Sequence, residues 1–201
     1  MDPHRDIVVI GASRGGLHAL SQLLGSLPRD FPAAILVVLH TGPASPRLLA
    51  EILGGRTALP VSYARDGDEI RPGHVYLAPP DRHLVVRSCG KLGLDAGPKV
   101  RHARPAADRL FQSAAEVYGP RVIGIVLTGG DHDGTDGLRA IKAAGGITMV
   151  QHPGEAKDPS MPQSALTGDS PDYCVSLDQM GALLLELVAG HVGGDHQSRK
   201  S

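Results

Sequence analysis

Hydrophobic positions in this chain come in short, dense runs split by glycine and proline. Ile7 to Ile10 is β-branched, Gly11 to Gly16 follows as a glycine-rich turn, and Leu17, Leu20, Leu23, Leu24 and Leu27 recur at helical spacing. Strand, turn and helix are predicted in that order. Pro28 to Pro32 stops the helix, and Ala34 to Leu39 is apolar at every position, as in a strand covered on both faces of a parallel sheet. Two such strands joined by a helix make a βαβ unit.

The pattern continues with a helix from Pro43 through Leu53, closed by Gly54-Gly55, and a short strand at Val61 to Ala64. Between Gly73 and Asp95 the texture changes. Val75 to Ala78, Leu84 to Arg87 and Lys91 to Asp95 are separated by turn residues and predict antiparallel hairpins inserted in the sheet. A helix after Pro105 carries Leu110, Phe111, Ala114 and Val117, and Val122 to Leu127 is another buried strand. Leu138 to Ala144 reads as helix, Ile147 to Gln151 as strand, Pro153 to Ser160 as an irregular loop, Tyr173 to Leu177 as a last strand and Leu183 to Val188 as helix. The whole predicts an α/β fold: a modified doubly wound, mainly parallel sheet with helices on both faces and an antiparallel hairpin insertion. Residues 1–189 form one domain, and 190–201, polar and glycine-rich, are expected to be a disordered tail.

Composition narrows the function. A formal net charge of −1 and only 2 Phe, 4 Tyr and no Trp in 201 residues offer neither the basic field nor the stacking platforms of a nucleic-acid binder. No apolar run is long enough to cross a bilayer or serve as a secretory signal, so a cytoplasmic protein without membrane insertion is expected. Cys89 and Cys174 fit no zinc or redox spacing and are read as two thiols in a reducing compartment.

In an open parallel sheet, residues just past the carboxyl ends of the strands converge on one edge, where ligands bind. Three strand ends carry chemistry here. Ser13 follows the first strand, His40 ends the second, and Asp133 lies in the glycine-rich turn after Val122 to Leu127. Nucleophile, base and orienting acid are all present. Gly11-Ala-Ser13-Arg-Gly15 also fits the Gly-x-Ser-x-Gly elbow that exposes a serine hydroxyl above a sheet. A dinucleotide site, the competing reading of such a turn, calls for Asp or Glu where His40 stands and glycine where Ser13 stands. Each residue also has a plainer reading: Ser13 as a helix N-cap, His40 as a buried histidine, Asp133 as the cap of the helix starting near Thr135. His74 and His83 are expected on the hairpin surface. Asp131 to Asp136 crowds carboxylates as a metal loop would, but glycine misses the sixth EF-hand position and Lys142 stands where the bidentate Glu belongs, so no metal is called for.

The stretches Ile10-Gly-Ala-Ser-Arg-Gly-Gly16, Leu39-His40, Arg71 to Leu84, Arg101 to Phe111, Leu127-Thr-Gly-Gly-Asp-His-Asp-Gly134 and Met161-Pro162 resemble, in order, the catalytic domain of CheB-type chemotaxis protein-glutamate methylesterases. The resemblance covers about Ile7 to Val188. It implies a cofactor-free Ser13-His40-Asp133 triad that hydrolyses glutamyl γ-methyl esters, and possible glutamine deamidation, on the cytoplasmic helices of chemoreceptors. It also implies an oxyanion donor at the Gly130 N–H and substrate contacts from His102, Arg104 and Asp108, for which a polar helix start is the plain alternative. Two positions depart from the family pattern: Arg14 stands where threonine is usual, and Gly130-Asp131 replaces Met-Gly. Arg14 is read as a positioning group that disfavours protonated His40 by repulsion or binds a substrate carboxylate, and Asp131 as a negative charge that weakens the oxyanion site. These departures keep open a second reading, a catalytically weak module that docks on a receptor or signalling partner. Ile7 begins the catalytic sheet directly, so the phospho-receiver domain common in the family is expected, if anywhere, on a separate protein acting in trans.

Overall fold

The computed structural model describes residues 4–42 and 44–190. Seven strands form one parallel sheet in the order β3-β4-β2-β1-β7-β8-β9, and β5 pairs with β6 as a separate antiparallel ribbon. The strands are β1 (Ile7–Ala12), β2 (Ala34–Leu39), β3 (Val61–Tyr63), β4 (Val75–Leu77), β5 (His83–Val86), β6 (Leu92–Asp95), β7 (Val122–Val126), β8 (Ile147–Gln151) and β9 (Tyr173–Val175). The helices are α1 (Gly16–Gly25), α2 (Leu49–Gly54), α3 (Ala107–Tyr118), α4 (Thr135–Ala143), α5 (Ser160–Asp169) and α6 (Leu177–Ala189). Among the described residues, no helix is long and apolar enough to cross a membrane.

β1 and β2 are buried at every residue, which explains their unbroken apolar sequence. Their side chains alternate between two cores. Val8, Ile10, Ile35 and Val37 pack with Leu20, Leu23 and Leu24 of α1 and Leu184 of α6, while Ile7, Val9, Leu36 and Val38 face Leu110 and Phe111 of α3 and Leu138 of α4. Each fully buried aliphatic side chain contributes roughly 1.5–3 kcal/mol. The chain runs outward from β1 through β2 to β4 and β3, then returns to β7 on the other side of β1. That reversal opens a crevice at the carboxyl ends of β1 and β7.

Five expectations need correction. Val75 to Leu77 is not a hairpin strand: β4 lies parallel between β2 and β3, and only β5 and β6 are antiparallel. The helix expected from Pro43 begins at Leu49, and Pro43 lies outside the described residues, as does the tail from His191 onward. The segment after the Pro153 loop forms α5, which the apolar pattern did not announce, and α6 begins at Leu177 instead of Leu183. His83 is not on the surface. It is fully buried, with Nε2 bonded to the Pro98 carbonyl and Nδ1 accepting the Ala106 N–H.

A reciprocal exchange joins α3 to α4. The N-cap residues, Ala106 and Gly134, place no side chain on their own helix ends. Asp133, just before α4, instead accepts the first N–H groups of α3, from Ala107 (2.5 Å) and Asp108 (2.8 Å). Asp108, inside α3, accepts the N–H groups of Gly134 (3.0 Å) and Gly137 (2.7 Å) at the start of α4. Asp133 therefore caps α3 and not, as its sequence position indicated, the helix that follows it. Gly137 makes the approach possible, since a Cβ there would lie 2.4 Å from Phe111 Cβ.

Two outcomes follow from this seam. Gly137→Ala gains at most about 1 kcal/mol of helix propensity. It meets an atom one bond from the α3 backbone, so overpacking of roughly 1–3 kcal/mol wins and the urea midpoint falls; an unchanged or higher midpoint contradicts the close packing. Asp108→Ala strands two buried N–H groups at about 1–3 kcal/mol each, whereas Asp108→Asn keeps an acceptor oxygen and loses less. Equal losses for the two in urea titrations would rule out the capping role.

Candidate active site

The carboxyl ends of β1, β2 and β7 carry the three residues singled out by sequence. Ser13 follows β1 directly: its N–H donates to the Thr128 carbonyl after β7 (2.9 Å), and its own carbonyl accepts the Gly16 N–H (2.8 Å). It does not cap α1. Gly15 occupies the N-cap in the left-handed region (φ 82°), and no side chain bonds there. The half-buried Ser13 hydroxyl makes no hydrogen bond among the described residues. His40 follows β2, with its N–H on the Ala12 carbonyl (3.0 Å), so the backbone register sets it beside the Ser13 turn.

Asp133 is the fixed point. Its side chain is fully buried; Oδ2 accepts from His40 Nε2 at 2.7 Å and from the Ala107 N–H, and Oδ1 accepts the Asp108 N–H. A carboxylate with that many donors is held in one orientation. The second nitrogen of His40 is also occupied. Nδ1 lies 3.1 Å from Asp131 Oδ2, while Asp131 Oδ1 accepts the Asp133 N–H at 2.9 Å. Burial opposes charge on the His40 ring, but the hydrogen bonds and negative charges of Asp131 and Asp133 prevail and raise its pKa to about 9. For Asp131, burial likewise opposes ionisation, and the bonds from His40 and the Asp133 N–H more than offset it, holding its pKa below the usual range.

The loop after β7 is threaded through tight contacts. A Cβ on Gly129 would lie 2.9 Å from Ser13 Cβ and 2.0 Å from Met161 Sδ, so only glycine lets the β7 loop pass the serine. The Gly130 N–H has no partner among the described residues and is exposed beside this turn. Arg14 lies over Gly130 and pairs with Asp158 at 3.1 Å; its side chain is 73% exposed, so the pair contributes at most about 1 kcal/mol. Thr128, which the sequence did not single out, ties the loops together. Its hydroxyl donates to the Arg14 carbonyl (2.9 Å) and accepts the Asp158 N–H (2.9 Å), and its N–H donates to Gln151 Oε1 (2.9 Å). A hydroxyl residue at a buried strand end, followed by glycines, was the available signal.

The residues read as substrate contacts separate. His102 is exposed on the wall of a cavity of about 330 Å³ that opens at His40 and Asp131 and also includes Lys99 and Arg101. Arg104 lines the same cavity but has its guanidinium engaged by Asp81 Oδ1 (2.7 Å) and the carbonyls of Ala96 (3.0 Å) and Gly97 (2.9 Å). Asp108 is in the α3–α4 seam, 2% exposed, which leaves no surface for a substrate. Burial, then the charge of Asp133, raises its pKa to about 6, and its Oδ2 has no hydrogen bond, with Arg101 Nε 3.8 Å away. The carboxylates that crowd 131–136 are divided among separate partners: Asp131 on His40, Asp133 on His40 and α3, Asp136 on Arg101 and Arg139. A larger cleft of about 790 Å³ runs along β3, but it contains none of Ser13, His40 and Asp133.

This geometry has known counterparts. The crystal structure of the Thermotoga maritima CheB methylesterase catalytic domain superposes with a TM-score of 0.88, at 37% identity, over 92% of this chain and 99% of that one. The protein-glutamate methylesterase FrzG of Myxococcus xanthus is 40% identical over 92% of this chain, which spans 56% of FrzG. A relative from Leptospira interrogans is 37% identical over 90% of this chain and 94% of its own length. The CheB methylesterase family model matches residues 8–184, from β1 into α6, and with that span and these relatives the chain belongs to the CheB methylesterase family.

Proposed function

We propose that this protein is a cytoplasmic serine esterase that hydrolyses glutamyl γ-methyl esters on the cytoplasmic helices of methyl-accepting chemoreceptors, and deamidates glutamine there by the same route. The observation that carries the reading is the 2.7 Å contact of His40 with buried Asp133, at the end of the strand that pairs with the one leading into Ser13. Relatives named protein-glutamate methylesterase support the substrate class. Lys99 on the cavity wall offers a cation to an acidic substrate segment.

With Asp133 on Nε2, Nδ1 is the nitrogen that serves as base. It takes the Ser13 hydroxyl proton as Oγ attacks the ester carbonyl carbon. The tetrahedral oxyanion is met by the Gly130 N–H and the start of α1, and loss of one such donor typically costs about 10²–10³ in rate. The carbon–methoxy bond then breaks, and the methoxide leaves as methanol with the proton from His40. Water, deprotonated by His40, attacks the glutamyl-serine ester; the carboxylate departs and Ser13 regains its proton. With glutamine the leaving group is ammonia. Asp133 keeps the ring oriented and stabilises its charged form throughout.

A second reading, a family member that binds a receptor or signalling partner with little catalysis, is favoured by the His40–Asp131 contact, which occupies the base nitrogen. A serine-directed fluorophosphonate separates the two. The esterase labels at Ser13, and Ser13→Ala abolishes both labelling and methanol release from methylated receptor membranes, a loss on the order of 10⁶-fold for a triad serine. Folded protein that takes no label at any pH supports the binding module, and undiminished methanol release from Ser13→Ala sinks the triad assignment.

A further inference from the structure

His40 has a carboxylate on each ring nitrogen. Asp133 Oδ2 lies 2.7 Å from Nε2 and Asp131 Oδ2 lies 3.1 Å from Nδ1. Neutral imidazole carries one N–H, so both contacts are hydrogen bonds only when the ring is protonated at both nitrogens. In that state no nitrogen is left to accept a proton from Ser13. The geometry points to Asp131 as a positioning residue that competes with Ser13 for the base nitrogen of His40, so that turnover begins only when the Asp131 contact is released. This deepens the esterase reading and rests on it.

Exposure decides which carboxylate gives way. The Asp131 side chain is 35% exposed, whereas that of Asp133 is fully buried and holds the start of α3. Asp131 also faces the cavity walled by Lys99, Arg101 and His102, where an incoming helix would supply competing contacts. Other charges near the ring are Asp81 and Arg104 in that same cavity, with Arg14 and Asp158 beyond Gly130 and His132 beside Asp131. None of these changes when Asp131 alone is replaced.

The pH sign follows from the chemistry. The base works only when neutral, and a ring that titrates at about 9 is roughly 1% neutral at pH 7. Activity should therefore climb about tenfold per pH unit up to that point. Removing the Asp131 charge lowers the ring's affinity for the proton and moves the acid limb to lower pH. Asp131→Asn keeps an oxygen for the Asp133 N–H and removes only the charge; Asp131→Ala removes charge and occupancy together.

The test combines two readouts on the full chain. NMR titration of the His40 ring, which requires no substrate, should give a midpoint near 9 in the parent and at least one unit lower in both variants. Fluorophosphonate labelling of Ser13 from pH 6 to 10 should show the acid limb moving by the same amount, with Asp131→Ala labelling at least tenfold faster at pH 7. An unmoved His40 midpoint overturns the proposal. So does a moved midpoint with an unmoved acid limb, or a rate lowered equally at every pH, which would mark Asp131 as only a loop anchor. Absence of labelling in all forms at all pH values overturns the esterase reading and this proposal with it, whereas normal labelling with an unshifted limb overturns the competition alone.

Discussion

The reciprocal carboxylate exchange between α3 and α4 is the constraint on which the site depends. Two helix N-termini meet in the interior, each with orphan N–H groups and each beginning at a residue unable to cap it. Asp133 satisfies α3 and Asp108 satisfies α4. A buried carboxylate is costly when isolated, but here two N–H donors and a partial positive helix end face each one. The two acids lie close enough that the charge of Asp133, after burial itself, raises the pKa of Asp108 to about 6. Of the pair, Asp133 also touches His40, so the feature that joins two helices is the same one that aims the imidazole.

Close approach of backbone is the second requirement, and it explains where the glycines fall. The β7 loop must pass between Ser13 and Met161, and α4 must press against Phe111; at Gly129 and Gly137 a methyl group would overlap atoms that have no room to move. Thr128 then clamps the three loops through hydrogen bonds to the Ser13 turn, to Gln151 of β8 and to Asp158. Rigid strand ends with satisfied polar groups are what a preorganised oxyanion site needs.

The parallel core was legible because β1, β2 and β7 are buried on both faces and their sequences are apolar throughout. The placement of Ser13, His40 and Asp133 at strand ends was legible because the strands of such a sheet end on one edge, and the structure brings His40 onto Asp133 there. β4 was not, because a three-residue strand has too little pattern to tell a parallel neighbour from a hairpin arm, and the turn residues beyond it belong to the real β5–β6 ribbon. α5 escaped because its face is only partly apolar, with Met161 and Ala165 buried among polar neighbours. His83 and the capping partner of Asp133 escaped for a shared reason: their partners, Ala106 and Ala107, are backbone groups far along the chain, and side-chain identity carries no record of them. Asp108 was assigned by resemblance to the substrate surface, yet its neighbours place it inside.

Asp131 and Asp133 are two residues apart on one loop and both touch the same ring, yet physics separates their roles. Asp133 cannot move away from His40 without uncapping α3 in the buried interior, so its position is fixed. Asp131 gives up one contact with His40, keeps its bond to the Asp133 N–H, and can take up water in exchange, since its side chain is partly exposed. A charge held in a partly solvated position is cheap to displace, and a charge with buried donors is not. The same residue type is therefore held fast at one position and easily displaced at the other, and the difference between them is set by burial and not by distance from the imidazole.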